Sequence, residues 1–106
     1  MIKEIDVHLL KNKLSQNDDF ILLDVRTDSE YYLSRINGSI HIPMNNIPTQ
    51  INELDPNKEI IVQCKSGKRS AKVCEFLLSN SFTNVKNLKG GILEWAKYID
   101  PSIIVY

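Results

Sequence analysis

The chain of 106 residues has room for one domain with its own core, read as residues 1–106, and is too short for two domains of ordinary size. Its 42% hydrophobic and 25% charged residues match average soluble usage, which excludes a disordered or fibrous chain. Thirteen Lys and Arg offset thirteen Asp and Glu, so no global field exists to gather nucleic acid or an anionic membrane, and any electrostatic role is local.

Met1-Ile2-Lys3-Glu4-Ile5-Asp6 lacks the apolar stretch of a secretory leader, and no apolar run exceeds four residues, so a cytoplasmic protein is expected. Lys3-Glu4-Ile5 reads as a first short strand. Asp6 then suits a helix cap, because its oxygen can accept free amides of the first turn, and Val7, Leu9, Leu10 and Leu14 follow at helical spacing. Asn17-Asp18-Asp19 ends that helix. Phe20-Ile21-Leu22-Leu23, stopping at Asp24, is a short continuous apolar run of the kind found in strands covered on both faces, and Ile60-Ile61-Val62 repeats it. Ser39-Ile40-His41-Ile42, which stops at Pro43, and Asn84 to Leu88, before Gly90-Gly91, supply two more strands. Ser70 to Leu78 is a helix with Ala71, Cys74, Leu77 and Leu78 on one stripe, and Gly91 to Ile99 is a last helix bearing Ile92, Trp95 and Ile99. Short strands alternating with amphipathic helices predict a parallel sheet covered by helices.

The segment Cys64-Lys65-Ser66-Gly67-Lys68-Arg69-Ser70 lies between a strand and a helix, and that position carries the chemistry. In parallel α/β sheets ligands bind beyond the carboxyl ends of strands, where loop amides and a helix N-terminus converge. A thiol is a weak nucleophile until it ionises. Inward amides, a positive helix end and the charges of Lys65, Lys68, Arg69 and Lys72 all favour a negative sulfur, and no acidic residue interrupts positions 65 to 74. Gly67 suits the tight loop, and Ser70 suits a helix cap. The plainer reading is an inert buried Cys64 beneath solvated lysines; it leaves the strand-to-helix position and the basic loop unexplained.

Cys74 falls on the core stripe and reads as a small buried hydrophobe ahead of a resolving thiol, and Trp95 reads as a packing residue. Two cysteines without a CxxC pair, with only His8 and His41 beside them, give no metal site, and a reducing compartment disfavours the one bridge they could form.

The Cys64–Ser70 segment resembles the active loop of the rhodanese family, which has the form Cys-x-x-Gly-x-Arg-Ser in many single-domain members. Leu23-Asp24-Val25-Arg26 with Glu30-Tyr31 is similar to that family's first motif, Gly38-Ser39-Ile40-His41-Ile42-Pro43 to its second, and Leu88-Lys89-Gly90-Gly91-Ile92 with Glu94-Trp95 to its closing one. The resemblance implies a rhodanese-like α/β fold, a five-stranded mainly parallel sheet flanked by helices on both faces. It also implies sulfur transfer through a persulfide on Cys64, with no other cofactor. Ser34-Arg35 stands where members often have Gly-His, and His41 where they often have Asn; both bear on substrate preference and neither touches the nucleophile.

On this reading the Cys64 thiolate takes the outer sulfur of a small anionic donor such as thiosulfate and passes it to an acceptor. The residues Lys65, Ser66, Gly67, Lys68, Arg69 and Ser70 bind donor and persulfide, while Asp24, Arg26 and Glu30 brace the loops. Two rivals remain open. Phosphatases and arsenate reductases resemble Cys-x5-Arg, whereas only four residues separate Cys64 from Arg69 here. A non-catalytic rhodanese-like interaction module is the other, although such modules commonly lose the cysteine. The tail from Trp95-Ala96-Lys97-Tyr98-Ile99-Asp100-Pro101 to Tyr106 resembles the end of rhodanese domains fused to adenylating enzymes. A sulfur-carrier protein as acceptor, or a cysteine desulfurase as donor, is the partner this implies.

Overall fold

Asp6 starts the first helix: its carboxylate accepts the Leu9 amide at 2.9 Å, satisfying a donor that the first helical turn leaves free. The computed structural model describes residues 2–106. Strand β1 (Lys3–Ile5) leads into helix α1 (Val7–Ser15), which ends where Asn17 turns to a left-handed φ of 54°. Strand β2 (Phe20–Asp24), helix α2 (Asp28–Leu33), the two-residue strand β3 (Ile40–His41) and the single-turn helix α3 (Ile47–Gln50) follow. Strand β4 (Glu59–Gln63), helix α4 (Lys68–Ser79), strand β5 (Val85–Leu88) and helix α5 (Gly91–Tyr98) complete the order.

The five strands form one sheet in the order β1-β5-β4-β2-β3, and every pairing is parallel, so the mainly parallel sheet expected from the sequence is parallel throughout. β4 sits at the centre, with Ile60 to Gln63 opposite Ile21 to Asp24 on one side and Ile60 to Val62 opposite Val85 to Asn87 on the other. Its uninterrupted apolar run is explained by cover on both faces. Leu23, Ile60, Val62 and Cys64 pack with Val73, Cys74 and Leu77 of α4 on one side. Leu22, Ile61 and Leu88 pack with Val7, Leu10, Ile92 and Trp95 on the other.

Several expectations shift in detail. Leu9 is 53% exposed and lies off the buried face of α1, and in α4 the stripe runs through Val73, Cys74 and Leu77 while Leu78 faces outward. Helix α2, which apolar periodicity does not reveal, is begun by a capping box in which Thr27 and Glu30 exchange backbone and side-chain hydrogen bonds. Pro48 opens α3, where its missing N–H costs nothing. The expected cap at Ser70 is corrected: α4 starts at Lys68 with Gly67 as the capping residue, at φ 100°, and Ser70 is buried in the first turn. Because no side chain caps α4, its first amides stay free for another acceptor.

Candidate active site at the end of the central strand

That acceptor is a sulfur atom. Cys64 follows the last residue of β4 and is 1% exposed, and Gly67 N–H donates to its Sγ at 3.1 Å, Ser70 N–H at 3.4 Å, while the Ser70 hydroxyl lies at 3.3 Å. The atom is buried, but the donors face it. Burial is the largest single influence on the thiol and raises its pKa; the hydrogen bonds from the Ser70 hydroxyl and from the Ser70, Gly67 and Ser66 amides together outweigh it, so Cys64 is held below the usual thiol range. Cys74, fully buried, is driven the opposite way, up to about 12, by burial first and by its proximity to Cys64 second. Both cysteines are free.

The loop is anchored from behind by α5. The Ile92 amide donates to the Cys64 carbonyl at 2.9 Å and the Leu93 amide to the Lys65 carbonyl at 3.1 Å, so the free N-terminal donors of this helix close on the outer side of the loop. Such an approach needs glycine. Gly91 has φ 60°, and a Cβ there would clash with the carbonyl oxygens of both Cys64 and Lys65. Gly91→Ala is therefore expected to push the loop off the sulfur, losing about 1–3 kcal/mol of stability through strain and slowing any Cys64 chemistry; thermal unfolding and Cys64 reaction rates measured together check it.

The basic side chains divide into two groups. Arg69 does not face the sulfur as an uncommitted cation: its Nη1 and Nη2 form a two-pronged pair with Glu30 at 2.7 and 3.0 Å. That guanidinium holds the Glu30 carboxyl down to about 2, and Glu30 raises Arg69 in return. Lys65, Lys68 and Lys72 have no ion-pair partner among the described residues. The hydrogen bonds from the Ser70 hydroxyl and from the Ser70, Gly67 and Ser66 amides are the main lowering influences on the Cys64 thiol.

Asp24 and Arg26 form a buried pair under the site's edge. Arg26 Nη2 donates to Asp24 Oδ2 at 2.7 Å and to the Ser34 carbonyl at 2.7 Å, Nε bridges both carboxylate oxygens, and Nη1 reaches the Glu30 carbonyl at 3.4 Å. One guanidinium thus ties the end of β2 to α2, through the Glu30 carbonyl, and to Ser34 just beyond that helix. The two departures from the family pattern meet on one ring: His41 stacks on Tyr31 with centroids 4.2 Å apart, and the Arg35 guanidinium lies 4.8 Å from the same ring. His41 Nε2 donates to the Arg26 carbonyl at 2.8 Å, since a carbonyl can only accept. Neither side chain hydrogen-bonds to the sulfur.

Sequence reasoning passed over Asn87. It lies in β5 opposite Val62 and is 3% exposed. Its Oδ1 accepts the Ser70 hydroxyl proton at 2.5 Å and its Nδ2 donates to the Gly67 carbonyl at 3.0 Å. The signal was present, since alternation puts Asn87 on the same core face as Val85, where a polar side chain requires partners.

The parallel sheet, with a cysteine at the switch from its central strand to a helix and hydrogen-bond donors turned toward its sulfur, defines an α/β domain with a cysteine site at the carboxyl end of its central strand. The family model for the rhodanese-like domain matches residues 6–98, and the chain belongs to that family. A protein named sulfurtransferase from Allochromatium vinosum is 34% identical over 103 residues, covering 97% of this chain and 96% of that protein. The crystal structure of a rhodanese-like domain protein from Staphylococcus aureus superposes with a TM-score of 0.84 at 37% identity, covering 89% of this chain and 91% of that one. The adenylyltransferase and sulfurtransferase UBA4 of Meyerozyma guilliermondii is 32% identical over 99 residues, 86% of this chain but 23% of that longer protein. These relatives place the chain among sulfurtransferase-type proteins. Among the described residues no helix is long and apolar enough to cross a membrane.

Proposed function

We propose that this protein carries sulfane sulfur as a persulfide on Cys64. The observation that supports this most directly is the ring of donors from Gly67 and Ser70 aimed at Sγ. With the thiol pKa lowered, the thiolate attacks the outer sulfur of an anionic donor such as thiosulfate without a general base. The sulfur–sulfur bond of the donor breaks, sulfite leaves with the bond's electron pair, and a new bond leaves Cys64 as an anionic persulfide. An acceptor nucleophile then takes the outer sulfur and restores the thiolate. The amides stabilise negative charge on the cysteine sulfur without reorganising, and Lys65 and Lys68 draw the anionic donor in.

Phosphoryl or arsenate chemistry fits this geometry less well, because the Arg69 guanidinium that a tetrahedral oxyanion would need is already taken up by Glu30. Incubation with thiosulfate followed by intact and peptide mass spectrometry tests the reading. The expected product is one added sulfur atom on Cys64, removed by cyanide or a thiol. Hydrolysis of an aryl phosphate with no sulfur gained would sink it; the absence of both would favour an interaction module.

The likeness to UBA4, named for adenylyl and sulfur transfer, supports a protein acceptor activated as an acyl-adenylate at its C-terminus, with a cysteine desulfurase as an alternative donor to thiosulfate. A reducing, cytoplasmic setting suits this, since it keeps Cys64 and Cys74 as thiols. Radiolabelled sulfur loaded on Cys64 is expected to pass to such a carrier, and retention on Cys64 in its presence overturns the protein-acceptor reading.

A further inference from the structure

A sulfur ringed by donors poses a question of alignment, since each amide must be held at its angle while the sulfur gains and loses charge. The two residues that Asn87 touches, Gly67 and Ser70, each place a donor on Sγ. Its Nδ2 holds the carbonyl of Gly67, the residue whose own N–H donates to Sγ at 3.1 Å from a left-handed φ of 100°. Its Oδ1 accepts from Ser70 Oγ at 2.5 Å, and that same oxygen lies 3.3 Å from Sγ. We propose that Asn87 is a positioning residue of the sulfur site, whose carboxamide holds the Gly67 amide on Cys64 and competes with Cys64 for the Ser70 hydroxyl proton.

The two halves of the carboxamide act in opposite senses. Because Nδ2 is committed to a carbonyl, which can only accept, the amide cannot flip, and Oδ1 is obliged to face Ser70. The Ser70 hydroxyl has one proton and two acceptors, Asn87 Oδ1 and Cys64 Sγ. With Cys64 protonated, S–H donates to Ser70 Oγ and Ser70 donates to Asn87. With Cys64 ionised, the Ser70 proton turns to the sulfur and Asn87 Oδ1 gives it up. Holding Gly67 thus favours the anion, whereas competing for the hydroxyl proton restrains it. Near-complete burial of Asn87 keeps water from replacing either bond.

This deepens the persulfide reading and draws its purpose from it, but the test reads ionisation and not transfer. Thiolate absorbance is titrated against pH, with Cys64→Ser subtracted, in four proteins: the native sequence, Asn87→Leu, Ser70→Ala and the double variant. Relative to Ser70→Ala, the double variant is expected to have its midpoint raised by about one pH unit, which is roughly tenfold less thiolate below the midpoint, because only the Gly67 arm is lost. Asn87→Leu alone is expected to raise the midpoint by less, since the freed hydroxyl turns to the sulfur. No rise in the double variant, or equal rises in both backgrounds, overturns the proposal.

Should Asn87→Leu not fold, Asn87→Asp serves. It keeps an acceptor on Ser70 and sets a carboxylate oxygen against the Gly67 carbonyl, so the midpoint is expected to rise, and an unchanged midpoint overturns the proposal. A native protein that takes up sulfur while the variants' midpoints stay fixed defeats the role of Asn87. A native protein that ionises as described but takes up no sulfur defeats the persulfide reading instead.

Discussion

Cys64→Ser is expected to abolish persulfide formation and to lower sulfur transfer by on the order of 10³-fold or more, because a serine hydroxyl in the same cradle stays un-ionised near neutral pH. The cradle itself persists. The Gly67 and Ser70 amides donate to an oxygen as readily as to sulfur, so the fold survives and the loss is chemical. Mass spectrometry after thiosulfate treatment, with a melting curve on the same sample, checks both halves. Cys74→Ala provides the contrast: Cys74 lies in the core with its thiol pushed up to about 12, so its removal costs packing and leaves sulfur loading in place. Loading that persists in Cys64→Ser and vanishes in Cys74→Ala would move the chemistry to the second cysteine.

The second large effect is structural. Asp24→Ala is expected to cost about 3–5 kcal/mol, since it strands the Arg26 guanidinium, 2% exposed, without its counter-charge. At about 4–8 °C per kcal/mol for a domain of this size, the melting temperature should fall by at least about 12 °C. Removing both charges is milder than removing one, so Asp24→Leu with Arg26→Met should recover part of the loss. The remainder reports the hydrogen bonds that Arg26 makes to the Ser34 and Glu30 carbonyls, which hold α2 and present Glu30 to Arg69. A fall of less than about 1 kcal/mol in Asp24→Ala, measured by denaturant unfolding, would mean that water reaches this pair and that it does not brace the site.

How far local pattern reaches is visible element by element. Strands β2 and β4 and helices α1, α4 and α5 were legible because burial leaves a period, short apolar runs where both faces are covered and a three-to-four-residue stripe where one is; β1, β3 and β5 were read from short β-prone segments bounded by Asp6, Pro43 and Gly90-Gly91. Helices α2 and α3 were not, since neither rests on an apolar stripe. The Thr27–Glu30 box starts the first, and Pro48 with the adjoining 3-10 turns shapes the second. Ser70 shows the limit most clearly. A serine near a helix start reads as a cap, but once Gly67 takes that place, the hydroxyl is buried between Cys64 and Asn87.

Residues adjacent in the chain determined the strand-to-helix switch at Cys64, the glycine its loop requires and the free amides of the helix that follows, because each is a consequence of backbone geometry over a few residues. Only the tertiary structure decided which cations stay uncommitted and which side chains orient the sulfur's donors. Glu30 and Arg69 are 39 positions apart, and Ser70 and Asn87 are 17 apart. It is the parallel pairing of β5 and β2 with β4 that brings these partners to one end of the sheet, and strand order depends on the packing of the whole chain and not on any segment of it.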